Sequence, residues 1–205
     1  MKNWLVALIG IILTTMHIST ALAAGNAVMG KDKSLMCASC HGADGNSLAP
    51  TFPKLAGQGE AYLLKQLRDI KSGARPSPMM APFVAVLTEQ DMADISAYYA
   101  ANSLTLTPNT ASESILAMGK TIYKAGNKET GVPACMACHG PNGLGYPAAK
   151  WPALSSQHAF YIESQLTAYA EGTRHNDPNS MMQDIAGRLS KDELKAVSAY
   201  VSGLH

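Results

Sequence analysis

The sequence carries the pattern Cys-x-x-Cys-His twice, at residues 37–41 and 135–139, and these motifs hold its only four cysteines. In this pattern the thiols form thioethers to a haem, and the histidine is delivered to its iron. A thiol redox site, or one tetrahedral zinc built from both pairs, is the alternative. The adjacent histidines, the glycine after each of them and the export segment described next favour two c-type haems. The predicted attachment residues are Cys37, Cys40, Cys135 and Cys138.

Residues 1–23 have the three parts of a secretory signal peptide. A basic start at Lys2 is followed by the apolar run 4–13 and then by Ala21-Leu22-Ala23, which predicts cleavage after Ala23. The apolar run is short for a bilayer, so an anchor formed by an uncleaved signal is the weaker alternative. Haem c is attached outside the cytoplasm, and in a bacterium the predicted compartment is therefore the periplasm.

Charge is balanced along the chain that remains after cleavage. Loss of Lys2 changes the formal net charge from +1 to 0. Residues 24–104 contain seven basic and seven acidic side chains, and residues 105–205 contain eight of each. Neither half has the basic excess that nucleic-acid binding requires, which excludes that class of partner. Docking to any partner should then depend on local patches rather than on net charge.

The second half of the chain repeats the first. The two haem motifs are 98 residues apart, and further matches follow at separations of 99 or 102. These matches are Pro53 with Pro152, Arg75 with Arg174, Met80 with Met182, and Tyr98 with Tyr200. A polar segment with a proline, residues 105–112, separates the halves and is typical of a linker. We therefore predict domain 1 at residues 24–104 and domain 2 at residues 113–205.

Each repeat is predicted to be all-α. In residues 60–70, apolar side chains recur at helical spacing, and residues 158–170 are the counterpart. Helices are also expected before each haem motif, at residues 28–36 and 113–124. The last helix of each repeat should begin at Thr88 or Ser190, where Ser190 and Glu193 form a capping-box pattern. No segment has sustained β alternation.

Each iron needs a sixth ligand opposite His41 or His139. Methionine, histidine, lysine, water or no ligand are the alternatives, and domain 1 contains no second histidine after the signal segment. Both repeats place a methionine pair late, as Met79-Met80 and Met181-Met182. A single methionine is usually core filling, but the same pair at the same repeat position indicates ligation. Thioether ligation favours Fe(II) and raises the reduction potential.

The whole chain after residue 23 resembles dihaem cytochrome c4, which has two class I cytochrome c domains in tandem. The matching segments are residues 37–46, 53–59 and 62–67, the helices around Tyr98 and Tyr200, and the ending Gly203-Leu204-His205. In that family the ligating methionine lies seven residues before the leucine that opens the last helix. The resemblance therefore implies that Met80 and Met182, before Leu87 and Leu189, are the axial ligands rather than their neighbours.

The resemblance also implies supporting roles for other residues. Pro53 and Pro152 would accept a hydrogen bond from the proximal histidines through their carbonyls, or else only shape their loops. Gly30 and Gly119 would let the first and last helices cross closely. Arg75 and Arg174 either pair with haem propionates or are solvated loop residues. His158 and His175 are expected at the surface.

The function implied by the resemblance is that of a non-enzymatic single-electron carrier in the respiratory chain. Its partners would be redox proteins, with a donor such as a membrane cytochrome complex and an acceptor such as a terminal oxidase. Peripheral association with the membrane is a further implication. A dihaem peroxidase or a small-ligand haem sensor is the rival hypothesis, since either would need one iron with an open position.

Overall fold

The computed structural model describes residues 24–205, and the signal-peptide prediction lies outside this range. The described residues form ten α-helices and no β-strand, which confirms the all-α prediction; two isolated β-bridges are present. The α-helices are α1 (Ala27–Lys33), α2 (Ala38–His41), α3 (Glu60–Ser72), α4 (Ala81–Ala85), α5 (Glu89–Ala101), α6 (Glu113–Ala125), α7 (Met136–His139), α8 (Ala159–Ala170), α9 (Met181–Ala186) and α10 (Lys191–Ser202). Three single-turn 3₁₀ helices lie at Ser34–Met36, Pro147–Ala149 and Pro178–Ser180. In residues 24–205 no helix combines the length and the apolar character needed to cross a membrane.

Helices α1 to α5 form the first half, and α6 to α10 repeat their arrangement in the second. In the first half α5 packs against both α1 and α3, and in the second α10 packs against α6 and α8. Each half has its own apolar core, with Tyr99 fully buried in one and Tyr123 in the other. The repeat seen in the sequence is therefore a repeat of the fold.

Side-chain caps define where the last helix of each half begins. Thr88 accepts a hydrogen bond from the Asp91 backbone N–H, and the Asp91 carboxylate accepts one from the Thr88 backbone N–H. Ser190 and Glu193 make the same reciprocal pair at α10. Both capping boxes satisfy backbone N–H groups that the first turn of a helix leaves without partners. The predicted starts of these two helices are confirmed.

The first and last helices of each half cross at a glycine, as predicted. A Cβ atom at Gly30 would lie 2.0 Å from the Asp94 backbone oxygen and 2.8 Å from the Tyr98 Cβ. At Gly119 the corresponding distances are 2.1 Å to the Ala196 oxygen and 2.7 Å to the Tyr200 Cβ. No side chain fits between backbones this close, so glycine is required at both crossings.

Candidate haem sites

Each Cys-x-x-Cys-His motif forms one short turn of helix that places its cysteines and histidine together. The His41 backbone N–H donates to the Cys37 carbonyl at 2.9 Å, and that of His139 donates to the Cys135 carbonyl at 2.9 Å. Both turns end at a glycine with positive φ, +80° at Gly42 and +79° in the second motif. A residue with a Cβ is strained in this conformation, which explains the glycine after each histidine.

The two motif histidines are buried and held by proline carbonyls. His41 Nδ1 lies 2.9 Å from the Pro53 carbonyl oxygen, and His139 Nδ1 lies 2.9 Å from that of Pro152. Burial lowers the pKa of both imidazoles, and the bond to the carbonyl opposes this effect. With Nδ1 donating to a carbonyl, Nε2 is the nitrogen available to a metal. Of the two roles expected for the prolines, the structure therefore supports the hydrogen-bonding one.

The two methionine pairs stand near the start of the short helices α4 and α9. Met80 is partly buried and packs against the first core, whereas Met79 is 62 % exposed. Met182 is half-buried, and Met181 is 38 % exposed. The inward member of each pair is thus the one that the resemblance selects. In domain 2 the Asp177 carboxylate holds the start of α9 in place by accepting a hydrogen bond from the Met182 backbone N–H at 2.7 Å.

A cavity of about 640 Å³ opens between these groups and runs through both halves of the molecule. Both motif histidines, all four cysteines and both methionine pairs contribute to its lining, together with many aliphatic and aromatic side chains. Soft sulfur and imidazole donors on an apolar wall fit haem, because its ring is flat and apolar and its iron accepts such ligands.

One thiol of each pair is poorly suited to a zinc or redox site. Burial raises the pKa of Cys135 to about 11 and also raises that of Cys37, which disfavours the thiolate that either chemistry needs. Among residues 24–205 no three His, Cys, Asp or Glu side chains stand close enough to hold a metal ion. The geometry therefore gives no support to one zinc shared by both cysteine pairs.

Two glutamines join the halves next to the histidine-binding prolines. The Gln157 carboxamide accepts the Lys54 backbone N–H at 2.8 Å and donates to the Lys54 carbonyl at 2.9 Å. Gln58 makes the same pair of bonds to the backbone of Ala153, at 2.8 Å and 2.9 Å. Since Lys54 and Ala153 correspond in the repeat, the interface has approximate twofold symmetry.

A second symmetric cluster at the interface contains two arginines, two glutamines and two tyrosines. The Gln66 side-chain oxygen accepts a bond of 3.0 Å from each of Arg75 and Arg174. The Gln165 oxygen accepts from the same two arginines at 2.9 Å and 2.8 Å. Each arginine also donates to a tyrosine of the other half, Arg75 to Tyr161 and Arg174 to Tyr62.

The two arginines are therefore not solvated loop residues. Arg174 is only 5 % exposed, and Arg75 is half-buried. Neither takes part in any ion pair of residues 24–205, although both line the cavity. Two guanidinium groups thus face the cavity with only neutral acceptors around them.

One surface expectation is wrong. His158 is half-buried at the interface, where its Nε2 lies 2.9 Å from the Ser47 carbonyl of the other half. His175 is exposed, as expected.

Sequence reasoning missed the interface residues, although the repeat contains a signal for them. Three polar pairs recur at a separation of 99 residues: Gln58 with Gln157, Tyr62 with Tyr161, and Gln66 with Gln165. A symmetric contact between two copies of a domain uses the same residue on both sides, so such pairs are candidates for one.

A tandem pair of helical domains, each combining a Cys-x-x-Cys-His turn, a carbonyl-bound histidine and an inward methionine, defines the class of dihaem c-type cytochromes. The cytochrome c family model matches residues 22–101 and 116–205. The chain belongs to this family and, within it, to the cytochrome c4 proteins. It binds two covalent haem c groups, one at Cys37 and Cys40 and one at Cys135 and Cys138.

Three known proteins illustrate the relationship. Cytochrome c4 of Pseudomonas aeruginosa is 46 % identical over 199 residues, covering 97 % of this chain and 98 % of the relative. The crystal structure of reduced recombinant cytochrome c4 from Pseudomonas stutzeri matches with a TM-score of 0.85 and 42 % identity, over 89 % of this chain and 100 % of that one. The thiosulfate dehydrogenase electron acceptor of Stutzerimonas stutzeri is 41 % identical, covering 83 % of this chain and 79 % of the relative.

Proposed function

We propose that this protein is a single-electron carrier in which both irons are six-coordinate. One observation supports this most strongly: in each domain a carbonyl-bound histidine and a partly buried methionine line the same cavity. We assign His41 and Met80 to the iron of domain 1, and His139 and Met182 to that of domain 2. Iron with two protein ligands has no open position for a substrate, so the protein exchanges electrons and is not an enzyme.

Haem c supplies an iron that cycles between Fe(III) and Fe(II) by one electron. The protein sets how easily this happens. A thioether from Met80 or Met182 would stabilise Fe(II), and the bond from each motif imidazole to a proline carbonyl fixes its ring. The mostly apolar lining lowers the local dielectric, which would strengthen every charge interaction with a bound haem.

The interface arginines are proposed to hold the propionates of both haems. Arg75 and Arg174 line the cavity and have only neutral partners among the described residues. Carboxylates are strong acceptors for guanidinium groups, and they would balance two like charges that are now close together. Such a bridge would also bring the two haems to the same interface, so that an electron passes from one domain to the other within the protein.

We place this carrier in the periplasm, exported by a cleaved signal at residues 1–23. The domain limits are proposed as 24–104 and 113–205, with a linker at 105–112. The proposed partners are redox proteins, namely a donor such as a membrane cytochrome complex and an acceptor such as a terminal oxidase, with peripheral association at the membrane. The 41 % identity to a thiosulfate dehydrogenase electron acceptor supports such a dehydrogenase as a second candidate donor.

Carbon monoxide binding to the fully reduced, haem-loaded protein tests the proposal. The wild-type spectrum should not change, because methionine occupies each sixth position. Met80→Ala and Met182→Ala should each bind about one equivalent, whereas the matched controls Met79→Ala and Met181→Ala should bind none. A change in the wild-type spectrum equivalent to one haem would reject the carrier function in favour of an enzyme or a sensor. Binding by Met79→Ala alone would mean that the ligand of domain 1 is misassigned.

A further inference from the structure

Lys54 is a buried cation without a counter-ion among the described residues. It is 7 % exposed, and lysine is rarely buried to this degree unless it is paired. Its Nζ donates to the Thr105 carbonyl at 2.6 Å and to the Thr107 hydroxyl at 2.7 Å. Neither acceptor is charged, and Lys54 belongs to none of the ion pairs within residues 24–205. No described side chain therefore neutralises this positive charge.

The Lys54 backbone lies next to the histidine-binding proline of domain 1, and its side chain extends from there to the linker. Lys54 directly follows Pro53, whose carbonyl oxygen is 2.9 Å from His41 Nδ1, and it lines the same cavity. Two hydrogen bonds from Gln157 fix the Lys54 backbone, and the linker oxygens fix the end of its side chain. Lys54 is thus held at both ends, and its charge has a fixed position relative to the Pro53 carbonyl that binds His41.

Domain 2 has no such charge. Its corresponding position, after Pro152, is Ala153, and the Ala153 backbone makes the same two bonds to Gln58 that Lys54 makes to Gln157. The histidine–proline bond is 2.9 Å in both domains. At this point in the two sites the backbone contacts match, and the ammonium group is what distinguishes them.

A fixed positive charge favours the oxidation state that carries one more electron. The size of the effect rises as the effective dielectric falls, and burial of Lys54 removes much of the water that would screen it. The same burial lowers the pKa of Lys54. Burial, and to a smaller extent the Lys54 charge, lowers the pKa of the interface residue His158, and an imidazole offers no negative charge in compensation.

We infer that Lys54 is a tuning residue that raises the reduction potential of the domain 1 haem, and that its replacement by Ala153 in the repeat makes the two haems unequal. This inference rests on the proposed electron-carrier function. One electron from a redox partner would then be shared between the haems in a ratio that Lys54 shifts towards domain 1. The residue acts through its charge and does not touch the iron.

Reduction potentials of the haem-loaded protein test this inference. Lys54→Gln should lower the potential of the domain 1 haem and should shift the domain 2 haem less. Lys31→Gln is the matched control, since it removes the same charge from the same domain at an exposed position. The two steps of the titration are assigned by repeating it with Met182→His, which displaces only the domain 2 step. Equal shifts of both haems, or a domain 1 shift no larger than that of Lys31→Gln, would overturn the inference.

Two further variants separate charge from structure. Thr107→Val removes one acceptor of the ammonium but keeps the charge, so the potential of domain 1 should stay close to the wild-type value. If Lys54→Gln fails to fold, Lys54→Arg replaces it, and a large fall in the domain 1 potential would then contradict a role for charge. Visible spectra, which report methionine ligation, separate the tuning role of Lys54 from the carrier function. Methionine ligation retained without a potential shift rejects the tuning role alone, whereas its absence from the wild type rejects the carrier.

Discussion

Replacing Gln157 with alanine tests whether the two domains are held rigidly at their interface. The Gln157 side chain is 7 % exposed and satisfies both the N–H and the carbonyl of Lys54. Alanine would leave both backbone groups without a partner at a position that water reaches poorly. A stranded buried group costs about 1–3 kcal/mol, so the expected loss in the free energy of unfolding is about 2–6 kcal/mol. Gln58→Ala should cost a similar amount, because its two bonds to Ala153 are equivalent.

The assay is urea denaturation of the haem-loaded protein, followed both by helix signal and by haem absorbance. Weakening the interface should separate the unfolding of the two domains, so the two probes should no longer coincide in either variant. Gln90→Ala is the control, since among residues 24–205 the Gln90 side chain bonds to Asp94 of its own domain, and its loss should cost less than about 1 kcal/mol. A Gln157→Ala protein within about 0.5 kcal/mol of wild type would refute the reasoning.

Two further predictions concern helix packing and pH. Gly119→Ala places a Cβ 2.1 Å from the Ala196 oxygen, so thermal denaturation should show a loss of about 1–3 kcal/mol or more. Burial lowers the pKa of His158 below its usual 6.5, so the unfolded chain binds the proton first as the pH falls. The stability that neutral His158 contributes is complete above pH 6.5 and is lost below it. The free energy of unfolding should therefore fall between about pH 7.5 and about pH 5.5. This fall should be smaller in His158→Gln than in the wild type, and unchanged in the control His175→Gln.

Local features of the fold and the site were predictable from the sequence. The capping box at Ser190 and the helical spacing of residues 60–70 identify helices, because each depends on residues within one or two turns. The Cys-x-x-Cys-His motif likewise contains its whole geometry within five residues. The helix crossings at Gly30 and Gly119 were implied by the family resemblance, and the structure has both.

Two kinds of feature were not predictable from the sequence. The short helices α4 and α9 have too few residues to show an apolar period. Contacts between the domains leave no pattern within either domain alone. His158 looks like a surface residue in its own helix, and only the Ser47 carbonyl of the other domain explains its burial. The burial of Arg174 likewise depends on Gln66 and Tyr62, which lie more than 100 residues earlier in the chain.

The symmetry of the interface explains which positions of the two domains remain alike and which differ. In a contact with twofold symmetry the same position contributes from both sides. Gln58 and Gln157 are the two copies of one such position, so a change in either would break one of two equivalent bridges. These bridges, however, bind only backbone atoms at Lys54 and Ala153. The side chain at that position is therefore free to differ without loss of the contact. A duplicated domain can in this way keep a symmetric interface while its two haem sites acquire different electrostatic surroundings.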